Sequence, residues 1–184
     1  MKYSFCTLFD KNYLYKGLAL HDSLSAHCGA FTLWILCMDD TTFSVLSKLQ
    51  LPNTRLIPLE SFEDDALRGV RQNRTLAEYC WTCTAPLLLH VMEREPQAGC
   101  IAYLDADLFF FNDPQPIFNE LADNSILIIP HRFSPEYQDW EHTSGIYNVS
   151  MIVFRDDQTG RECLNWWKAQ CLAACYLDPG AGQC

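Results

Sequence analysis

Short apolar runs alternate with longer amphipathic stretches along almost the whole chain. Tyr3 to Phe9 is rich in aromatic and β-forming residues and predicts a first strand. Leu14, Leu18, Leu24 and Cys28 fall on one face of a helix expected from about Leu14 to Cys28. Phe31 to Cys37 is apolar almost throughout, the pattern of a strand buried on both sides. Thr42 to Leu49 predicts a short helix behind Asp39-Asp40, either of which is a competent cap. Thr54 to Leu59 predicts a third strand.

Glu60 to Arg74 is polar, with the acidic run Glu63-Asp64-Asp65, and reads as a solvated loop or short helix. Two helical pieces are expected next, divided near Thr84-Ala85-Pro86. Proline suits a first turn and not an interior, so Thr84 would cap the second piece. Tyr79 and Trp81 are expected to pack against the sheet. Cys100 to Leu104 predicts a strand, Pro114 or Pro116 opens a helix, and Ile126 to Pro130 predicts another strand. Ser134 to Thr143 is loop-like, and Tyr147 to Arg155 reads as a further strand. A last helix from about Asp157 to Tyr176 carries Leu164, Trp167, Cys171 and Cys175 on one stripe, with Asp156 as its cap. Strand-helix alternation without internal repeats predicts an α/β sandwich with a mostly parallel central sheet flanked by helices. A chain of 184 residues suits a single domain, 1–184.

Charge narrows the functions open to such a domain. The net charge is -10 and no Lys/Arg cluster stands out, which argues against a nucleic-acid surface. No apolar stretch is long enough to span a bilayer, so no transmembrane segment is expected. MKYSFCTLFD runs into a strand pattern without a signal-peptide core, so a cytoplasmic location is the expectation. In a reducing compartment the ten cysteines, the C-x-x-C pair Cys80 and Cys83 among them, are expected as small buried apolar groups.

Candidate chemistry gathers at the predicted carboxyl ends of strands, where ligands bind in open α/β sheets. Asp10-Lys11-Asn12 follows the first strand, Asp39-Asp40 the second, and Asp105-Ala106-Asp107 the strand ending at Leu104. The last cluster sits in YLDADLFFFNDP, where carboxylates beside so many apolar side chains call for a compensating cation or hydrogen bonds. In extended backbone, residues two apart project to one side about 6.6 Å apart. Asp105 and Asp107 can thus converge on one hard divalent ion, Mn²⁺ or Mg²⁺, whose shell commonly includes substrate phosphates. For Asp39 and Asp40 helix capping stands beside ligand contact, and for Asp10 and Asn12 a solvated turn does.

The segments FCTLFDKNYLYKGLALHDSL, ILCMDD, YLDADLFFFNDP, SGIYNVSMIVFR and LNWWKAQCL, in this order, resemble the GT-A-type nucleotide-sugar glycosyltransferases akin to glycogenin and the bacterial lipopolysaccharide glycosyltransferases. The resemblance implies a metal-dependent enzyme that moves a sugar from a nucleoside diphosphate sugar, UDP most of all and with retention, to a glycan or other acceptor. Carried over by position, Asp105 would contact the donor ribose and metal shell, and Asp107 would ligate the metal directly. Thr7, Asp10 and Asn12 match positions holding base and ribose, with Asp39 or Asp40 approaching the base. Tyr147 and Asn148 would line the donor-sugar and acceptor cleft. Relatives continue past the last helix through a Gly-Asp-Gln-type turn, whereas this sequence reads DPGAGQC, so a domain lacking its C-terminal segments is the expectation. Two alternatives stand beside the enzyme: a non-catalytic remnant of it, and a haloacid-dehalogenase-type phosphatase, in which the first Asp of D-x-D is a nucleophile. Phe109 occupies the place where that phosphatase motif has Thr or Val.

Overall fold

In the computed structural model, which describes residues 2–177, the apolar runs become six strands of one sheet. The order along the chain is β1 (Tyr3–Phe9), α1 (Leu14–His27), β2 (Phe31–Cys37), α2 (Asp40–Leu49), β3 (Thr54–Pro58), α3 (Leu59–Phe62), α4 (Asp65–Arg71) and α5 (Leu76–Arg94). It continues with β4 (Cys100–Leu104), α6 (Gln115–Leu121), β5 (Ile126–Pro130), α7 (Glu141–Ser144), β6 (Tyr147–Arg155) and α8 (Gln158–Ala173). Across the sheet the strands lie in the order β3-β2-β1-β4-β6-β5. The first four strands in the chain run parallel, and β6 pairs antiparallel with both β4 and β5.

The two-residue period of the strands divides the core into two apolar layers. Cys6 and Leu8 of β1, Trp34 and Leu36 of β2, and Ile101 and Tyr103 of β4 face Cys83, Leu87, Leu88 and Val91 of α5 and Leu164 of α8. The alternate positions, Phe5 and Phe9, Leu33 and Ile35, Ala102 and Leu104, meet Leu20 and Leu24 of α1, Leu46 of α2 and Leu121 of α6. Each fully buried leucine, isoleucine or phenylalanine contributes roughly 1.5–3 kcal/mol. A one-residue slip would exchange the layers, so burial on both faces pins the register.

Several local expectations are corrected. α5 is one continuous helix through Pro86, not two pieces, and Thr84 caps nothing: its hydroxyl donates to the Cys80 carbonyl at 3.3 Å. Pro86 cannot donate to the Thr82 carbonyl, but near-complete burial from Thr82 to Leu88 between the sheet and α8 outweighs that loss. The start of α5 is a capping box, with Glu78 N–H on the Thr75 hydroxyl and Thr75 N–H on the Glu78 carboxylate at 2.7 Å. α8 is capped by Asp157, not Asp156. Asp157 accepts from Gly160 N–H at 2.8 Å, while Asp156 forms a two-point pair with Arg161. The polar stretch before α5 forms α3 and α4, and 134–143 holds a 3-10 turn (Pro135–Trp140) and the start of α7. α1 buries Gly17, Leu20, His21, Ser23 and Leu24, with Leu14 and Leu18 only half-buried. Among the described residues no helix is long and apolar enough to cross a membrane.

Candidate functional site

The strand order reverses between β1 and β4, because the chain moves outward from β1 to β2 and β3 before returning to β1's other side. Such a reversal leaves a crevice at the carboxyl edge. Pairing of β1 with β4 covers only Phe5 to Ala102 and Cys6 to Tyr103, although β1 runs on to Phe9. A cleft of about 430 Å³ opens between the two strand ends. That is within the size range of small-molecule sites. Leu8, Phe9 and Asp10 line it from β1, and Tyr103, Asp105 and Asp107 from β4. The third wall is the start of α5, presenting Leu76, Ala77, Cys80 and Trp81.

Local hydrogen bonds set each polar group. Asp10 is buried and caps the 3-10 turn Lys11–Tyr13, accepting from Asn12 N–H at 3.1 Å and from the Asn12 amide at 2.6 Å. The turn carries Asn12 and Tyr13 into the cleft. Asp105 continues past β4, its N–H donating to Ser150 O of β6 at 2.7 Å. The buried Tyr103 hydroxyl donates to Asp105 Oδ1 at 3.0 Å. Burial raises the Asp105 carboxyl above its ordinary range and the Asp107 charge adds to the rise, with the Tyr103 hydrogen bond opposing both. Asp107 is half-exposed and accepts from Lys16 Nζ at 3.1 Å.

The structure separates the sequence-expected residues. Asp10, Asn12, Asp105 and Asp107 come together in the cleft. Asp39 does not line the cleft: it caps α2 through Thr42 N–H and holds Lys11 N–H, each at 2.8 Å. Asp40 is exposed in the first turn of α2. Thr7 is fully buried within β1, with no hydrogen-bond partner for its hydroxyl, and does not border the cleft. Tyr147 and Asn148 reach the same sheet edge because β6 runs antiparallel and starts there. Tyr147 is exposed, and Asn148 Oδ1 accepts from Ser150 N–H at 2.6 Å.

Sequence reasoning missed Tyr13, Leu76, Cys80 and Trp81 as cleft residues. Trp81, expected against the sheet, is 44% exposed and borders the cleft, whereas Tyr79 is buried as expected. The signal was present. α5 leads back into β4, so the Thr75 capping box places the helix start at the carboxyl edge, where 76, 77, 80 and 81 share a side.

Do the residues suit a divalent ion? The half-buried Asp105 and its neighbour Asp107 share, among the described residues, a single nearby ammonium, that of Lys16, which leaves a net negative charge, and two carboxylates are the usual protein share of a Mg²⁺ shell completed by water and phosphate. Among the described residues no group of three His, Cys, Asp or Glu side chains is placed to hold a metal alone. The fit is therefore to an ion that arrives with phosphate oxygens, not to a preformed cage.

No family model matches the chain. It is 35% identical to the Bacillus subtilis (strain 168) protein YfnF over 100% of this chain and 62% of YfnF. To YfnD of the same organism it is 30% identical over 96% of this chain and 57% of YfnD. The chain thus spans about three-fifths of the length of these relatives. Among solved structures it is similar to mouse xyloside xylosyltransferase 1, with a TM-score of 0.61, 14% identity, and 97% of this chain and 79% of that one covered. It is similar also to the galactosyltransferase LgtC, with a TM-score of 0.61, 13% identity, and 91% and 64% covered. The chain has the GT-A glycosyltransferase fold. In this GT-A fold Asp105, Asp107 and the loop after β1 line one cleft.

Proposed function

We propose that this protein is a metal-dependent glycosyltransferase that takes a sugar from a nucleoside diphosphate sugar and passes it to a glycan or other acceptor. The observation that carries the reading is the convergence of Asp10, Asn12, Asp105 and Asp107 on one cleft at the strand-order reversal of a GT-A fold. Asp105 and Asp107 would hold Mn²⁺ or Mg²⁺ against the donor's diphosphate. The ion would supply Lewis-acid stabilisation of the charge that develops on the leaving nucleoside diphosphate. Asp10 and Asn12 would meet the nucleoside, and Tyr103 keeps the Asp105 carboxylate oriented through its hydrogen bond. Tyr147 and Asn148, at the same sheet edge, belong to the sugar and acceptor side of the reading. A UDP donor, retention of configuration and a cytoplasmic location complete the proposal.

A dehalogenase-type phosphatase fits less well. Its D-x-D belongs to the first strand, whereas this one closes β4, and Phe109 stands in place of the Thr or Val. Calorimetry with UDP and Mn²⁺ tests the main reading. Heat that requires both components is expected, and no metal-dependent heat at millimolar UDP would defeat it.

A further inference from the structure

Charge does not balance in the cleft. Its lining holds three carboxylates, Asp10, Asp105 and Asp107, and no lysine or arginine. A diphosphate brings two or more further negative charges, which one divalent ion cannot offset. The wall from α5 is apolar, so it supplies no help. Lys16, one helical turn beyond the 3-10 turn, stands at the rim: its Nζ lies 3.1 Å from Asp107 Oδ2 and 4.1 Å from the centre of the Tyr13 ring. The ammonium thus bridges a carboxylate of the D-x-D pair and an aromatic side chain of the opposite lip, and it is only 29% exposed.

We infer that Lys16 is an exchangeable counter-ion: it neutralises Asp107 until a divalent ion takes its place, and its ammonium then pairs with the donor's diphosphate. The inference rests on the glycosyltransferase reading and names a donor-contacting residue within it. One contact and one general property of lysine favour exchange over a plain surface pair. The Tyr13 ring holds the ammonium at the cleft, giving it a second anchor when Asp107 is taken. A four-carbon stem with freely rotating donors can also follow a phosphate without moving the helix. If the pair merely tied α1 to the D-x-D loop, its loss would weaken metal and nucleotide binding together, by loosening both lips.

Lys16→Met keeps the stem and removes the charge. Titrated with Mn²⁺ alone, the variant is expected to bind about two- to fivefold more tightly than the wild type, since an internal competitor worth a surface ion pair is gone. Titrated with UDP at saturating Mn²⁺, it is expected to bind about five- to twentyfold more weakly, the loss of one charge-assisted contact. Lys16→Arg should restore most of the UDP affinity. Lys48→Met, the same charge change on the exposed end of α2, should move neither. Opposite shifts in the two titrations support the inference; shifts in the same direction, or none, overturn it. A wild-type protein that shows no Mn²⁺-dependent UDP binding overturns the glycosyltransferase reading along with it, whereas wild-type binding that Lys16→Met leaves unchanged overturns this inference alone.

Discussion

Lys11 N–H donates to Asp39 Oδ2 at 2.8 Å, joining the loop after β1 to the residue that caps α2. One carboxylate therefore serves two amides 31 residues apart, because Thr42 N–H takes the other oxygen. Asp39→Ala loses a cap worth about 1 kcal/mol and a charge-assisted bond of similar size. The expected cost is about 2 kcal/mol, a fall in melting temperature of roughly 4–8 °C for a domain of this length. Asp39→Asn keeps an acceptor for one amide and should lose about half as much. Burial pushes the Asp39 carboxyl up, but the two amides outweigh it and hold it below its ordinary 3.8. A depressed carboxyl contributes stability above its unfolded pKa and loses it as pH falls through the folded one. The gap between wild type and Asp39→Ala should therefore be full above about pH 4 and shrink in more acidic buffer, measured by thermal melts.

Asp105 carries the opposite sign. Burial, then the Asp107 charge, raises its carboxyl, so the ionised form is a cost to the folded protein at neutral pH. Asn at this position retains an oxygen for the Tyr103 hydroxyl and discards the charge. Asp105→Asn should melt at or a few degrees above the wild type at pH 7, with the advantage fading as pH falls towards 3.8, where the unfolded carboxyl also protonates. Over the same range it should bind UDP and Mn²⁺ at least tenfold more weakly. A variant that melts well below the wild type would show that Asp105 holds up the fold instead of serving a ligand.

How much of this was legible beforehand can be argued from particular residues. β1, β2 and β4 lie where the apolar runs placed them, because strands buried on both faces leave little room for polar positions. That Asp105 and Asp107 stand at the carboxyl edge of the sheet was legible for a related reason: they directly follow the apolar run that forms β4. Helix ends were less legible. Asp156 and Asp157 are chemically equivalent caps in sequence, and only Arg161, pairing with the first, decides for the second. Pro86 looked like a break because its cost is local, while the packing that overrides it comes from β1, β4 and α8, far away in sequence. Lys16 was invisible for the same reason, since its partner Asp107 lies 91 residues downstream.

Glu63 shows what a buried charge demands. Its carboxylate is 7% exposed, accepts from the Tyr79 hydroxyl at 2.6 Å and meets Arg71 Nη1 at 3.1 Å. Tyr79→Phe removes one donor and leaves the charge in place, at an expected cost of about 1.5–3 kcal/mol. Burial and the hydrogen bond to Glu63 push the Tyr79 hydroxyl far above its ordinary 10.0. The raised value means that the phenol stays neutral in the fold, so the cost should be constant from pH 6 to 9. A pH-dependent difference in that window, followed by chemical denaturation, would contradict the assignment.

Thiol reactivity offers a test that separates electrostatics from access. Cys80 borders the cleft, yet burial and then the Asp10 charge push its thiol up to about 12. Cys175 is 9% exposed, yet the Cys171 thiol hydrogen bond, helped by the Thr82 hydroxyl and the Arg74 charge, holds its thiol below the ordinary range against the opposing effect of burial. The thiolate is the nucleophile, so near neutral pH a larger fraction of Cys175 than of Cys80 is competent. Limited iodoacetamide treatment read by peptide mass spectrometry should label Cys175 first, at a rate that levels off at a lower pH than that of Cys80. Cys171→Ala removes the donor and should move that plateau upward, whereas Cys171→Ser keeps an O–H and should preserve it. If access governs instead, Cys80 will be labelled first, and the saturation of the cleft with UDP and Mn²⁺ will protect it.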